Sequence, residues 1–419
     1  VLPRFLWRMA KRGGYKKGFL ERFGLFSKGK RQSLGKGERV WIHAVSVGEF
    51  NVAYRIAEEL EKHHPSLSVA FSVTTSTAYA IAEKKVNKND IVFYFPVDLP
   101  VFLKKTFSVV SPKMIVIIES ELWPNLIRYA YKLSVPVILV NGRISASSYR
   151  GYLLLKPIFK RILPKVSRIL MQSEQDKNRI VDIGAPVELV EISGSIKYDE
   201  TKPSEADIER IKDIIAACGF YGGEKIIILG GSTWPGEEEA LIRVVSRLSG
   251  VIPHIRLVLV PRHVERSHEI QSIITNNGFK CILWSSIFKG NREICSGARD
   301  VLLVDVTGEL KYFYGCATIV FVGKSLTQHG GQNIIEPALL GKPVIVGPNM
   351  ENFSAVVKDF LAEKAIVQVA NDSELEQAIK LLVENPSLRH EIGMRAENIV
   401  TRNRGALDKT ISTINLFLH

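Results

Sequence analysis

The sequence predicts an α/β protein of two doubly wound, parallel-sheet domains, and three observations predict it. Short apolar runs rich in β-branched residues alternate with amphipathic stretches along nearly all of the 419 residues. That is the pattern of strands covered on both faces by crossover helices. A polar stretch, "KYDETKPSEAD" at 197–207, interrupts the alternation near its middle. The length also suits two or three cores, at about 150 residues per domain.

The first element is a basic segment, residues 1–36. Residues 1–40 hold twelve Lys or Arg against only Glu21 and Glu38, so most of the net charge of +13 sits there. Phe5, Leu6, Trp7, Phe19, Leu20, Phe23, Leu25 and Phe26 are interleaved with these cations. Insertable side chains beside cations fit an anionic membrane surface better than a solvated tail. No run of 18 apolar residues is present, so the sequence predicts no bilayer span. Little excess charge remains for the folded part, which argues against a nucleic-acid partner.

The first domain, 37–200, opens on "RVWIHAVSV" and continues through "LSVAFSVTT", "IVFYFP", "MIVIIES", "PVILVNGR", "RILMQSE" and "VELVEISGS". Each reads as a buried strand. Between them, Val52, Ile56 and Leu60 repeat at helical spacing, and "PNLIRYAYKL" and "QDKNRIVDIG" read as further helices. Glu49 in "HAVSVGEF" falls at the first strand-to-helix turn. It is either a working base or a carboxylate complementing the positive end of a helix. The second domain, 201–419, repeats the pattern with "KIIILGGS", "RLVLVPR", "VLLVDV", "TIVFVGKS", "PVIVGPN" and "AIVQVA". Cys218, Cys281, Cys295 and Cys316 have neither zinc-site nor disulfide spacing; they read as small buried hydrophobes in a reducing compartment.

Ligands of such sheets bind beyond the carboxyl ends of the strands. In the second domain those loops are "GGSTWPGEE" (230–238), "PRHVERS" (261–267), "DVTGEL" (305–310) and the long stretch 323–353. Gly330 and Gly331 either bring backbone N–H groups to an anion or only make a turn. Arg262 either pairs with a phosphate or bridges to Glu265. There is no "GxxxxGK[ST]" and no "GxGxxG", so phosphoryl and hydride transfer lose support, and no carboxylate cluster has the spacing of a metal cage. A nucleotide-type site in one domain and a loop carboxylate in the other are the parts of a metal-independent transferase of the two-domain GT-B kind, with Rossmann-like domains facing a cleft.

The strings "HAVSVGE", "ESELWPNLI", "NGRIS", "GSIKYD", "PRHVER", "GGQNIIEP", "GPNMENF" and "NRGAL", in this order along nearly the whole chain, resemble the bacterial 3-deoxy-D-manno-octulosonic acid (Kdo) transferases. The resemblance implies an inverting glycosyltransferase that moves Kdo from CMP-Kdo to a lipid A precursor, lipid IVA, in lipopolysaccharide core synthesis. It implies work at the cytoplasmic face of the inner membrane, peripheral or monotopic, with no metal and no other cofactor. It makes Glu49 the general base and puts Glu121 and Lys197 in motifs facing the cleft. The CMP site falls on Pro261, Arg262, Val306, Thr307, Gly308, Glu309, Asn333 and Glu336. Three positions depart from the family pattern: Gln332 stands where histidine is frequent, and Lys324 and Ala78 where glycine is. A sugar-nucleotide epimerase shares the architecture and is the alternative, but needs no basic aromatic segment.

Overall fold

In the computed structural model, which describes residues 18–34, 39–252, 254–288 and 300–418, the chain forms two compact units. One runs to Asp199 and takes back Asn403–His419, and the other is Glu200–Arg402.

The first unit carries strands β1 (Arg39–Ala44), β2 (Ser68–Val73), β3 (Ile91–Tyr94), β4 (Pro112–Ile118), β5 (Val137–Gly142), β6 (Arg168–Met171) and β7 (Val190–Ile192). They lie in the order β3-β2-β1-β4-β5-β6-β7, all parallel. Successive side chains point to opposite faces, so each strand feeds two cores. Trp41, Phe93, Ile115, Ile117 and Leu139 fill one, while Val40, Ile42, Phe71, Val116 and Val140 fill the other. Burial on both faces explains why the strands read as unbroken apolar runs.

The second unit holds β8 (Ile226–Thr233), β9 (Ile255–Pro261), β10 (Lys280–Leu283), β11 (Asp300–Leu303), β12 (Ile319–Val322), β13 (Val344–Val346) and β14 (Val367–Gln368). Their order is β10-β11-β9-β8-β12-β13-β14, again all parallel. The sequence reading did not include β10. It is a four-residue edge strand with Lys280 exposed and Cys281 half-buried, so its apolar signal is weak. Cys218, Cys281 and Cys316 form no disulfide with one another.

The chain differs from the expected boundaries at both ends. Residues 18–34, read as part of a separate membrane segment, pack onto the first unit. Phe26 and Leu34 enter its core, and Phe23 meets Phe102 edge-on at 5.2 Å. The Arg22 guanidinium is buried over the Tyr94 ring at 4.3 Å and donates to the Thr74 carbonyl at 2.6 Å. Glu21, buried beside it, accepts the Tyr94 N–H at 3.0 Å. Residues 1–17, with Trp7, lie outside the described residues. The last helix, Ala406–Asn415, belongs to the first unit and not the second, because Ala406, Ile411 and Ile414 bury there. Asp199 secures that return by accepting the Gly405 and Leu407 N–H groups. No helix among the described residues is long and apolar enough to cross a membrane.

Candidate active site

In an open parallel sheet, a crevice forms where neighbouring strands connect in opposite directions. In the first unit that point is between β1 and β4, since the chain runs from β1 outward through β2 and β3 before returning to β4. The loop after β1 carries Glu49, and the loop after β4 carries Glu119 and Glu121. Ser46 caps the helix Val47–His63, and its hydroxyl donates to Glu49 Oε1 at 2.9 Å. The Val45 N–H donates to Oε2 at 2.7 Å. Glu49 therefore does close the helix start, as a carboxylate complementing the helix would. Burial first, then the Glu119 and Glu121 carboxylates, push Glu49 up to about 7 against the ionising pull of those two donors. Desolvation and like charge thus outweigh the pull of the helix start toward the ionised form.

Glu121 is likewise pushed to about 7, by burial and then by Glu119. The loop between them is held from below. Trp123 donates its indole N–H to His43 Nε2 at 3.1 Å, which leaves the His43 proton on Nδ1, facing the Ser72 carbonyl and hydroxyl at 3.2 and 2.9 Å. Burial drives His43 down to about 3, so this ring stays neutral and acts as a strut. Tyr152, on the helix Ala146–Leu154, donates to the Ser120 carbonyl at 2.8 Å, and burial and Glu121 raise its phenol to about 12.

The second unit has its switch point between β8 and β12. Buried Glu237 joins the two loops there: its oxygens accept the N–H groups of Trp234, Lys324, Ser325 and Leu326 at 2.8 to 3.0 Å. Nearby, Asn333 donates to Glu336 at 3.0 Å and to Glu200 at 3.3 Å, and its own oxygen accepts the Ile335 N–H at 3.0 Å. Burial and Glu200 raise the Glu336 carboxyl, while Asn333, Lys311 and Arg262 hold it down. Arg262, Lys311, Asn333 and Glu336 thus form one electrostatic group, beside a pocket of about 290 Å³ lined by Glu200, Lys202, Lys311 and Glu336.

The structure brings some of the expected residues together and leaves others apart. Glu49 and Glu121 are brought together, and Glu119, which the sequence reading passed over, joins them. Arg262 and Glu336 are also brought together, with Arg262 exposed after Pro261 and making no ion pair with Glu265 among the described residues; Arg266 instead bridges to Glu238 and Glu269. Val306, Thr307 and Gly308 lie on the loop after β11, and one buried Glu309 oxygen has no partner among the described residues. Lys197, on a short turn at Ile196–Tyr198, is not among the charges acting on Glu49 or Glu121. For Gly330 and Gly331 the structure supports the turn. The Gly330 N–H goes to Glu351 at 2.7 Å and the Gly331 N–H to the Lys324 carbonyl at 2.9 Å, so neither amide is open to an anion. Their φ values of 119° and 70°, and a Met350 sulfur 2.4 Å from where a Gly331 β-carbon would stand, require glycine.

Residues 17–200 match the family described as "3-Deoxy-D-manno-octulosonic-acid transferase (kdotransferase)", and residues 302–399 match "Glycosyl transferases group 1". A 3-deoxy-D-manno-octulosonic acid transferase of Bordetella pertussis is 30% identical over 99% of this chain and 95% of its own. The chain belongs to the Kdo transferase family. A second member, from Haemophilus influenzae, is 29% identical over 96% of this chain and 92% of its own. The solved glycosyltransferase of Rickettsia africae ESF-5, 12% identical with a TM-score of 0.50 over 91% of this chain and 99% of its own, shares the fold. As a Kdo transferase family member the protein is a glycosyltransferase of GT-B architecture, and its carboxylate cluster and its Arg262–Glu336 group lie at the carboxyl ends of two separate sheets. His43, Trp123, Trp234 and Glu237 stand in strings that the sequence singled out, but their roles were not legible there, since partners such as Ser72 for His43 and Lys324 for Trp234 and Glu237 come from segments distant in sequence.

Proposed function

We propose that this protein transfers Kdo from CMP-Kdo to a hydroxyl of a lipid A precursor, lipid IVA, with inversion, and that Glu49 is the general base. The observation that carries the reading is the Glu49 carboxyl: buried, next to two other carboxylates at a sheet switch point, and poised near 7. A base with that pKa is half ionised at neutral pH and strong enough to take a proton from an attacking hydroxyl as the bond to the anomeric carbon forms. One base and one direct displacement invert the centre. Glu121, whose carboxyl is likewise raised to about 7, is suited to hydrogen-bond the acceptor sugar. CMP leaves as a phosphate monoester, so it needs positive charge more than a proton, which Arg262 and Lys197 would supply without a metal. Asn333 and Glu336 would bind ribose hydroxyls, and Pro261 and Val306–Glu309 would bound the base.

A lipid acceptor and an anionic membrane surface are supported by the helices Ala146–Leu154 and Lys156–Ile162. Leu154 and Ile158 stand exposed on them, and Leu155 between them, among exposed Arg150, Lys160 and Arg161. The same first helix reaches the carboxylate loop through Tyr152. Apolar side chains ringed by cations suit an anionic headgroup layer, the chemistry also expected of residues 1–36. The cytoplasmic face of the inner membrane is the matching location. The test is mass spectrometry of the product from CMP-Kdo and a tetra-acylated lipid A precursor in the presence of EDTA. Lipid heavier by one or more Kdo residues is expected. Free Kdo with unmodified lipid, from CMP-Kdo that is consumed, would refute the acceptor.

A further inference from the structure

Lys324 lies in the loop after β12 at the second unit's switch point, with its backbone in the left-handed region at φ 57°. Any residue with a β-carbon is disfavoured there, and glycine is not. The turn is nonetheless fixed: the Lys324 N–H donates to Glu237 at 2.8 Å and its carbonyl accepts the Gly331 N–H at 2.9 Å. An unfavourable backbone held this firmly at a ligand-binding edge directs attention to what the side chain does.

The Lys324 ammonium lies over the Trp234 ring, 4.5 Å from its centroid. Trp234 in turn meets the ring of His263, the neighbour of Arg262, edge-on at 5.1 Å. Lys324 is thus set among the loops that follow β8, β9 and β12. It makes no ion pair with any described residue, and the carboxylate that pins its backbone, Glu237, has both oxygens taken by four backbone N–H groups. A cation resting on an aromatic face, with no carboxylate to pair with, is available to an incoming anion.

We infer that Lys324 binds an oxyanion of the donor, either the phosphate of the nucleotide or the carboxylate of the sugar, and is a specificity-determining residue for an anionic sugar nucleotide. This rests on the donor reading above. The test compares the parent with Lys324→Met, which removes the charge but keeps a long side chain, and Lys324→Gly, which also relieves the backbone. Binding of CMP and of cytidine is measured by calorimetry, KM for CMP-Kdo by initial rates, and Tm by a melt. Both variants are expected to lose about tenfold or more in CMP affinity or in KM for CMP-Kdo. Cytidine binding should hold, and Tm should stay level or rise in Lys324→Gly. A loss seen with CMP assigns Lys324 to the phosphate, and a loss confined to CMP-Kdo assigns it to the carboxylate. Parental affinities in both variants, or an equal loss for cytidine, overturn the inference alone. A parent that binds neither CMP nor CMP-Kdo overturns the donor reading and this inference together.

Discussion

Replacing Glu49 by glutamine separates the two roles of this side chain. Glutamine retains an oxygen for the Val45 N–H, which now lies 2.7 Å from Oε2, and turns its amide toward the Ser46 hydroxyl, which can rotate to accept. Losing the negative charge at the helix start costs about 0.3–1 kcal/mol. Removing that charge from beside Glu119 and Glu121 acts in the opposite direction. The net change is therefore about 1 kcal/mol or less, a Tm shift of roughly 2–4 °C for a unit of this size. Turnover is a different matter, because an amide cannot take the acceptor's proton. A fall of about 10² to 10⁴ is expected, with CMP affinity unchanged. In the parent, kcat/KM should rise with pH through about 7 as Glu49 ionises, and that rise should vanish in the variant. Initial rates with CMP-Kdo and a tetra-acylated lipid A precursor, a melt and a CMP titration on one preparation report all of this. A Glu49→Gln enzyme that turns over within a few fold of the parent would leave the carboxylate as a helix cap only.

The same carboxyls give a stability prediction. Glu49 and Glu121 titrate near 7 in the folded chain and near the ordinary 4.3 when unfolded, so the folded state holds extra protons between those values. Their contribution is fully present below about 4.3 and is lost as pH rises through 7; Tm should drop from pH 5.5 to 8 more steeply in the parent than in a Glu49→Gln/Glu121→Gln double variant, and parallel curves would contradict the shifts. Arg262→Ala should weaken CMP binding by about 1.5–3 kcal/mol in calorimetry without moving Tm, because the side chain is exposed and makes no ion pair among the described residues. A parental affinity would put the donor's phosphate elsewhere. Serine at Leu154, Leu155 and Ile158 together should release the protein from phosphatidylglycerol vesicles in a sedimentation assay while leaving CMP binding intact. Retained vesicle binding would remove the patch from the membrane contact.

The sequence by itself determined the strands, their parallel class and the loops that carry the chemistry. Hydrophobic periodicity is local, and strands buried on both faces leave it unmistakable: the apolar runs read from the sequence became strands, with only the short edge strand β10 missed. It also placed Glu49 at a strand end and marked the resemblance that the family match bears out. Tertiary structure alone decided which strand ends lie side by side. Glu49 meets Glu119 and Glu121 because β4 pairs with β1, and that pairing depends on the whole sheet and not on any stretch of residues. The raised carboxyls follow from that meeting, since burial and like charge are properties of the surroundings. The same holds for the amides of Gly330 and Gly331, whose partners Glu351 and Lys324 come from folding the loop on itself. It holds too for the final helix, whose apolar face fits either unit by pattern and is assigned by where Asp199 and the first core receive it.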